Sequence, residues 1–523
     1  MEIIQEPTIE LNEKFKEALQ VMENTTQNVF ITGKAGTGKS TLLHYFKQTT
    51  GKEIVILAPT GVAALQVGGQ TIHSFFSFAP DITANSIRTY TGTKAKMYKV
   101  LDTIIIDEIS MVRADLLDCV DRFLRLNGKS PNKPFGGVQM IFIGDLYQLP
   151  PVVTGKEKEI FKEHYKSPYF FDAEVFEHLK MQFIELEKIY RQKDQKFIHL
   201  LNAVRNRSVT EQDVKDLNKR LDPTFEPPAD SFYINLTTTN DSASYINEKE
   251  LLKLKGKLFS FHGKITGEFK DTNLPTAIDL KLKIGSQIMF VHNDAAHRWV
   301  NGTVGKVIGV TKSNKEDEII AELINGEKVK VEKCKWDVYK LFYNKELGGL
   351  DSEILGSFIQ YPIKLAWAVT IHKGQGKTFD KVIIDIGRGT FSHGQVYVAL
   401  SRCTSFEGIV LRKPIEKKHI FMDWKIVNFL TKYQYQMSNK KLSVEDKVEV
   451  IKKAIKNKTE IHITYLKSND IKSKRTILPK SVGSMEYMGR TYLGLEAYCY
   501  LRKEDRVFRV DRILDMNLLK ETK

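Results

Sequence analysis

The sequence predicts an α/β protein with two successive doubly wound halves, a small β-barrel inserted in the second, and a separate β-rich module at the C-terminus. Three observations predict it. Short β-branched runs, "NVFIT", "EIVILAPT", "DTIIID" and "VQMIFIGD", alternate with helical text such as "TLLHYFKQ" and "ADLLDCVDRFLRL". Strands that are apolar on both faces belong in a parallel sheet covered by helices. A second set, "FYINLTTTN", "AWAVTIHKG", "KVIIDI" and "GIVLRKPI", repeats the pattern. Between them, over about 273–350, lie short strands and turns, with Asn301-Gly302 and the hairpin-prone Asn325-Gly326.

The 523 residues, 42% hydrophobic and 27% charged, suffice for several cores. No apolar run approaches the ~20 residues of a membrane span. The acidic start "MEIIQEPTIELNEKF" lacks an apolar signal core, so a cytoplasmic protein is expected, with no membrane partner. The net charge of +15 favours a polyanionic partner, nucleic acid first, without requiring one. Cys119, Cys334, Cys403 and Cys499 are scattered, without zinc or disulfide spacing.

"NVFITGKAGTGKST" is a strand, a glycine-rich turn and a helix start, the context of a phosphate-binding loop. Gly33, Gly36 and Gly38 let backbone N–H groups close on phosphate oxygens, with Ala35, Thr37 and Thr41 completing the cradle. Lys39 is expected at the β- and γ-phosphates and Ser40 at Mg²⁺. Asp107 and Glu108 end the apolar strand of "TIIIDEIS"; Asp107 suits the metal, and Glu108 the attacking water. Gln148 in "FIGDLYQLPPV" reads as a γ-phosphate sensor or as part of a capping turn. Arg191 in "EKIYRQ" and Arg402 in "VALSRCTS" read as surface arginines or as charges delivered to the phosphoryl group from a second domain.

"GKAGTGKS", "APTGVAALQVGGQTIHSFF", "IIIDEISMV", "PFGGVQMIFIGDLYQLPPV", "YRQ", "WAVTIHKGQGKTFDKV" and "VYVALSRC" follow one another in that order. Together they resemble the PIF (petite integration frequency) helicases, 5′-to-3′ DNA motors of superfamily one, B-type. The resemblance implies two tandem RecA-like P-loop domains with ATP between them and single-stranded DNA across their top. It implies catalytic roles for Lys39, Glu108, Gln148, Arg191 and Arg402. "TIHKGQGKTF" then reads as a relic phosphate loop, with Thr370, His372 and Lys373 on DNA and Gln375 and Gly376 facing the γ-phosphate. Further DNA contacts carried over are Thr60, Gly61, His73, Ser74, Phe75, Thr238 and Asn240; His73 and Phe75 are base-stacking or core residues. Where family members have an adenine-reading glutamine this chain has Phe15, which leaves stacking as the substitute.

The expected domains are 1–186 and 187–272 with 351–438 for the RecA-like pair, and 273–350 for the barrel. A short segment at about 76–95 is the expected wedge. Residues 444–523, with 18 Lys/Arg against 12 Asp/Glu, form a further domain. That module resembles a WYL domain, carrying Tyr492, Leu493 and Tyr498 with Arg502, Arg506, Arg509 and Arg512 but no Trp. Such aromatics and arginines suit a single strand, or a structural barrel with a solvated basic face. The expected activity is ATP- and Mg²⁺-dependent unwinding by a monomer on single-stranded and forked DNA; quadruplexes and RNA–DNA hybrids are further candidate substrates. The alternatives are a DNA-stimulated translocase that does not unwind and a WYL-type ligand-responsive DNA-binding regulator.

Overall fold

The computed structural model describes residues 11–518, apart from 80–81, 154–160, 162, 229–230, 270–273, 312–316, 345, 347–348, 388, 391, 469 and 488. The chain divides into two units, Met1–Val204 with Val209–Phe421, and Arg205–Ser208 with Met422–Lys523.

The first unit begins with helix α1 (Glu13–Asn24), whose N-cap Asn12 accepts the backbone N–H of Phe15. Strands β1 (Asn28–Gly33), β2 (Ile54–Ala58), β3 (Gln70–Thr71), β4 (Thr103–Ile106), β5 (Gln139–Gly144) and β6 (Met181–Leu186) form one sheet in the order β3-β2-β4-β5-β1-β6. Every pairing in it is parallel. Side chains alternate across the sheet. Val29 and Ile31 of β1 face α1 and helix α2 (Lys39–Thr49), in a core with Phe15, Met22, Leu42 and Phe46. Phe30 points the other way, edge-on to Phe170 and Phe183 with ring centroids at 5.7 and 5.6 Å.

A second parallel sheet runs in the order Ala368–Thr370, Ile234–Thr237, Val382–Asp385, Ile409–Leu411. These strands carry the motifs of the second half, so the architecture is mixed α/β with tandem RecA-like sheets. Antiparallel strands interrupt this half. They extend from Phe259–His262 to Ile363–Leu365, which corrects the narrower 273–350 expectation. The reason is pairing: Phe259–His262 joins Asp279–Leu282, and Ile363–Leu365 joins Gln287–Phe290. Gly326, at φ 86°, turns the chain between Glu318–Leu323 and Lys328–Val331. Helix Gly92–Val100 lies against the inserted strands Cys334–Asn344 and Gly349–Gln360. Part of the 76–95 segment lies outside the described residues.

The second unit is β-rich. Five antiparallel strands, Glu504–Arg509, Arg490–Cys499, Lys472–Tyr487, Ile461–Leu466 and Ile513–Leu518, lie in that order. Helix Val444–Asn457 packs Ile451 and Ala454 into the core with Ile463, Leu495 and Phe508. Helix Trp424–Lys441 belongs to this unit, which corrects the boundary at residue 438. Its Ser438 hydroxyl bonds the carbonyls of Ile513 and Leu514, and its Gln434 amide donates to Asp470.

Phe30→Ala should cost about 3–5 kcal/mol of first-unit stability, because the buried ring leaves a cavity between strand and aromatic cluster. Denaturant unfolding of the two proteins checks it; an unchanged midpoint would show that the cluster repacks around the smaller side chain.

Candidate nucleotide and nucleic-acid site

Ligands of open parallel sheets bind beyond the carboxyl ends of the strands, and the motif residues gather there. β1 ends at Gly33, where an added Cβ would stand 2.6 Å from Thr37 Oγ1 and 2.7 Å from the Leu186 carbonyl oxygen. Gly36 and Gly38 hold φ 79° and 85°, conformations that L-residues rarely adopt. The Lys39 ammonium donates to the carbonyls of Gly33 and Lys34 at 2.7 and 3.0 Å, which lays it along the loop.

A cavity of about 650 Å³ opens over this loop. Ala35, Gly36, Thr37, Gly38, Lys39, Ser40 and Thr41 form one wall. Phe15, Glu108, Gln148, Arg191, Gly376 and Arg402 complete much of the rest. The cavity therefore brings together residues from both halves. Phe15 is only 2% exposed; its ring would stand 2.9 Å from a Cβ on Gly38.

Tyr190, Thr378 and Thr404 also line the cavity and were not expected. Tyr190 had a signal in its position beside the "YRQ" arginine. Its backbone N–H donates to the Gly36 carbonyl at 2.8 Å, and Asn12 donates to its hydroxyl at 2.9 Å. Thr378 ends the Gly-Lys-Thr of "TIHKGQGKTF" and Thr404 follows the "VALSRC" arginine, so both lay inside recognised motifs without being singled out.

Asp107 and Glu108 follow β4. Burial raises both carboxyls above their usual range; Glu108 pushes Asp107 further, whereas Lys39 and Arg402 oppose the rise at Glu108. Gln375 Nε2 donates to Glu108 Oε2 at 2.9 Å, joining the relic loop of the second half to the acid of the first. Gln148 is buried and donates to Asp145 Oδ2 at 3.4 Å. Arg191 donates to the Ser401 carbonyl at 3.1 Å. Arg402 is 2% exposed, bonded to the carbonyls of Val398 and Lys377 and to the Ser401 hydroxyl. Burial, with Arg191 nearby, draws its guanidinium below the ordinary range, while Glu108 opposes the shift.

The set fits a magnesium nucleotide. Gly36 and Gly38 hold the loop in left-handed conformations, a helix begins there, and Ser40 and Asp107 offer the hard oxygen donors Mg²⁺ prefers. Among the described residues no group of three or more His, Cys, Asp or Glu could hold a metal by itself. A cation sharing its shell with phosphates needs no such group.

The expected DNA residues divide. Thr60 and Ser74 are exposed, Gly61 and His73 half-buried, at the start of the helices Gly61–Gln66 and Ile72–Phe76. Thr238 is half-buried and Asn240 exposed at the equivalent edge of the second sheet. His372 is half-buried and Lys373 exposed after the strand ending at Thr370. Phe75 is buried against Phe76 and Tyr98, with ring centroids at 4.8 and 5.6 Å, which favours the core reading of the two left open. One residue requires correction. Thr370 is 4% exposed and its hydroxyl accepts the Lys373 N–H, so it shapes the turn that presents Lys373.

In the second unit, Leu493 packs on the core, and Tyr498 sets its ring edge-on to Tyr500. Arg506 pairs with Glu504 at 3.6 Å, and the Arg502 backbone N–H closes a turn on Cys499. Arg509 pairs with Asp511 and lies over the Tyr492 ring. Arg509 and Arg512 line a cavity of about 570 Å³ with Trp424 and Tyr435. Among the described residues no helix is long and apolar enough to cross a membrane, and all four cysteines are free.

Comparison with known proteins agrees with this geometry. A PIF1-like helicase family model matches residues 8–215, and a WYL domain model matches residues 446–518. The chain is 35% identical over 397 residues to ATP-dependent DNA helicase PIF1 of Homo sapiens, covering 73% of this chain but only 58% of that protein. With ATP-dependent DNA helicase Pif1 of Bdellovibrio bacteriovorus it shares 32% over 437 residues, covering 82% of this chain and 93% of the relative. The crystal structure of Bacteroides sp Pif1 in complex with ADP-AlF4 superposes with a TM-score of 0.75 at 36% identity, over 82% of this chain and 97% of that one. The same Bacteroides protein bound to ssDNA superposes at 0.60, with 36% identity, 82% of this chain and 97% of that chain covered.

Gly36→Ala should weaken magnesium-ATP binding by about tenfold or more, because the new methyl meets Arg191 and the backbone must leave a left-handed conformation that costs roughly 1–2 kcal/mol. Titration with a fluorescent ATP analogue measures it. Wild-type affinity would show that the loop can open without loss of its cradle.

Proposed function

The chain belongs to the PIF1-like helicase family, and from that premise we propose that it is an ATP-dependent motor moving 5′ to 3′ on single-stranded DNA and unwinding duplex DNA at forks. One observation carries the reading: P-loop, acid, glutamine and two arginines from separate parts of the chain line a single cavity between two parallel sheets. The Bacteroides relative determined both with ADP-AlF4 and with ssDNA supports the same pair of ligands here.

In this reading Ser40 and Asp107 would hold Mg²⁺, which when bound would supply positive charge against the phosphates. Lys39 meets the β- and γ-phosphates, Phe15 and Tyr190 bracket the base, and Glu108 orients the attacking water and accepts its proton. Gln148 senses the γ-phosphate. Arg191 and Arg402 stabilise charge on the transferred phosphoryl group. Because Gln375 bonds Glu108 and leads back to Lys373 and His372, a change at the acid is felt at the DNA edge. Thr60, Gly61, His73, Ser74, Thr238 and Asn240 complete that edge, with hydroxyls, amides and N–H groups suited to phosphates rather than bases. The antiparallel insertion, read as a small barrel, and the 76–95 segment separate the strands. The WYL domain is an accessory module.

Two substitutions separate the roles. Lys39→Ala should abolish hydrolysis with single-strand binding near normal, because the lysine serves the phosphates. Arg402→Ala should still bind ATP while turnover falls by about 10³-fold. Full activity of Arg402→Ala would remove its assigned role. A duplex with a 5′ tail tests the function itself: ATP-driven strand release is expected, whereas DNA-stimulated hydrolysis without release would favour the translocase reading.

A further inference from the structure

We propose that Tyr397 is a positioning residue for hydrolysis, its hydroxyl transmitting the position of the second half to the P-loop and to Gln148. The helix Gln395–Ser401 starts after Gly394, at φ 76°. A Cβ on Gly394 would stand 2.4 Å from the Gln148 carbonyl oxygen and 2.6 Å from that of Tyr147, so the helix start is seated directly against that loop. Tyr397 lies on this helix, 4% exposed. Its hydroxyl accepts the Ala35 N–H at 2.9 Å and donates to Asp145 Oδ2 at 3.3 Å. The same carboxylate oxygen accepts the Gln148 amide at 3.4 Å, and Oδ1 accepts the Tyr147 N–H at 3.2 Å. Asp145 is fully buried and Gln148 is 5% exposed.

Burial gives these bonds their consequence. With the cleft closed, deleting the Tyr397 hydroxyl removes one buried hydrogen bond each from the Ala35 amide and the Asp145 carboxylate. Arg402 immediately follows the same short helix. A rigid movement that withdraws Arg402 from the cavity therefore draws Tyr397 off Ala35 and Asp145. The phosphate cradle and the glutamine loop would be registered together only when the second half is seated. The inference rests on the reading of Gln148 as the γ-phosphate sensor.

The test uses the full chain as wild type, Tyr397→Phe, Gln148→Ala and the double variant, in steady-state ATPase assays with and without saturating oligo(dT). Phenylalanine keeps the buried ring and deletes only the hydroxyl. Tyr397→Phe should lower DNA-stimulated kcat roughly tenfold, about what one hydrogen bond supplies, and leave the KM for ATP within about twofold. The ratio of stimulated to unstimulated turnover, independent of the folded fraction, should fall with it. Added to Gln148→Ala, the change should cost little more, because the two act through one loop. A slow Gln148→Ala beside a fully active Tyr397→Phe, or strictly multiplicative losses, would overturn the inference alone. Undiminished turnover of Gln148→Ala would remove the sensor reading and the route assigned to Tyr397 with it.

Discussion

A few buried hydrogen bonds hold two separate parallel sheets against each other across the nucleotide cleft. Gln375 reaches Glu108, and Tyr397 reaches Ala35 and Asp145. Among the described residues no strand is shared between the sheets, so these contacts help set their alignment over the P-loop. Polar groups sequestered from water bind strongly when paired and are costly when unpaired.

The charges in the cleft suit a ligand that carries its own. Arg402 and Arg191 are held where burial opposes their positive charge, and Asp107 and Glu108 where it opposes their negative charge. A triphosphate offers anionic oxygens to the arginines, and Mg²⁺ offers a cation to the acids. Ligand entry would thus relieve unfavourable burial on both sides, with stabilisation greatest when the halves meet. Lys373, Thr60 and Asn240 differ in being exposed, as fits reversible contact with a phosphate backbone.

Much of this was legible in the residues. The P-loop is a local pattern whose chemistry dictates its spacing, and the strands that deliver Asp107, Gln148 and Thr238 are short β-branched runs ending in polar text. What stayed hidden depends on contacts between distant segments. Tyr397 reads as one aromatic in an apolar helix until its hydroxyl is found on Ala35. Tyr190 stood beside a recognised arginine with nothing to mark it as a wall of the cavity. Phe75 was left between core and stacking, and Thr370 was misplaced, for the same reason: an aromatic or hydroxyl near a DNA motif shows its burial only after packing. The helix Trp424–Lys441 follows the second parallel sheet in sequence, yet Ser438 and Gln434 bind it to the C-terminal one. The full extent of the insertion emerged only from the pairing of Phe259–His262 and Ile363–Leu365 with its inner strands.

The most direct measurement is a crystal structure with a non-hydrolysable ATP analogue, Mg²⁺ and a short oligo(dT). The account predicts terminal-phosphate oxygens within about 3 Å of nitrogen atoms on both Lys39 and Arg402, hydrogen-bond distance, while the strand crosses Thr60 and Lys373. An analogue held wholly by the first half, with Arg191 and Arg402 out of reach while DNA is bound, would contradict it.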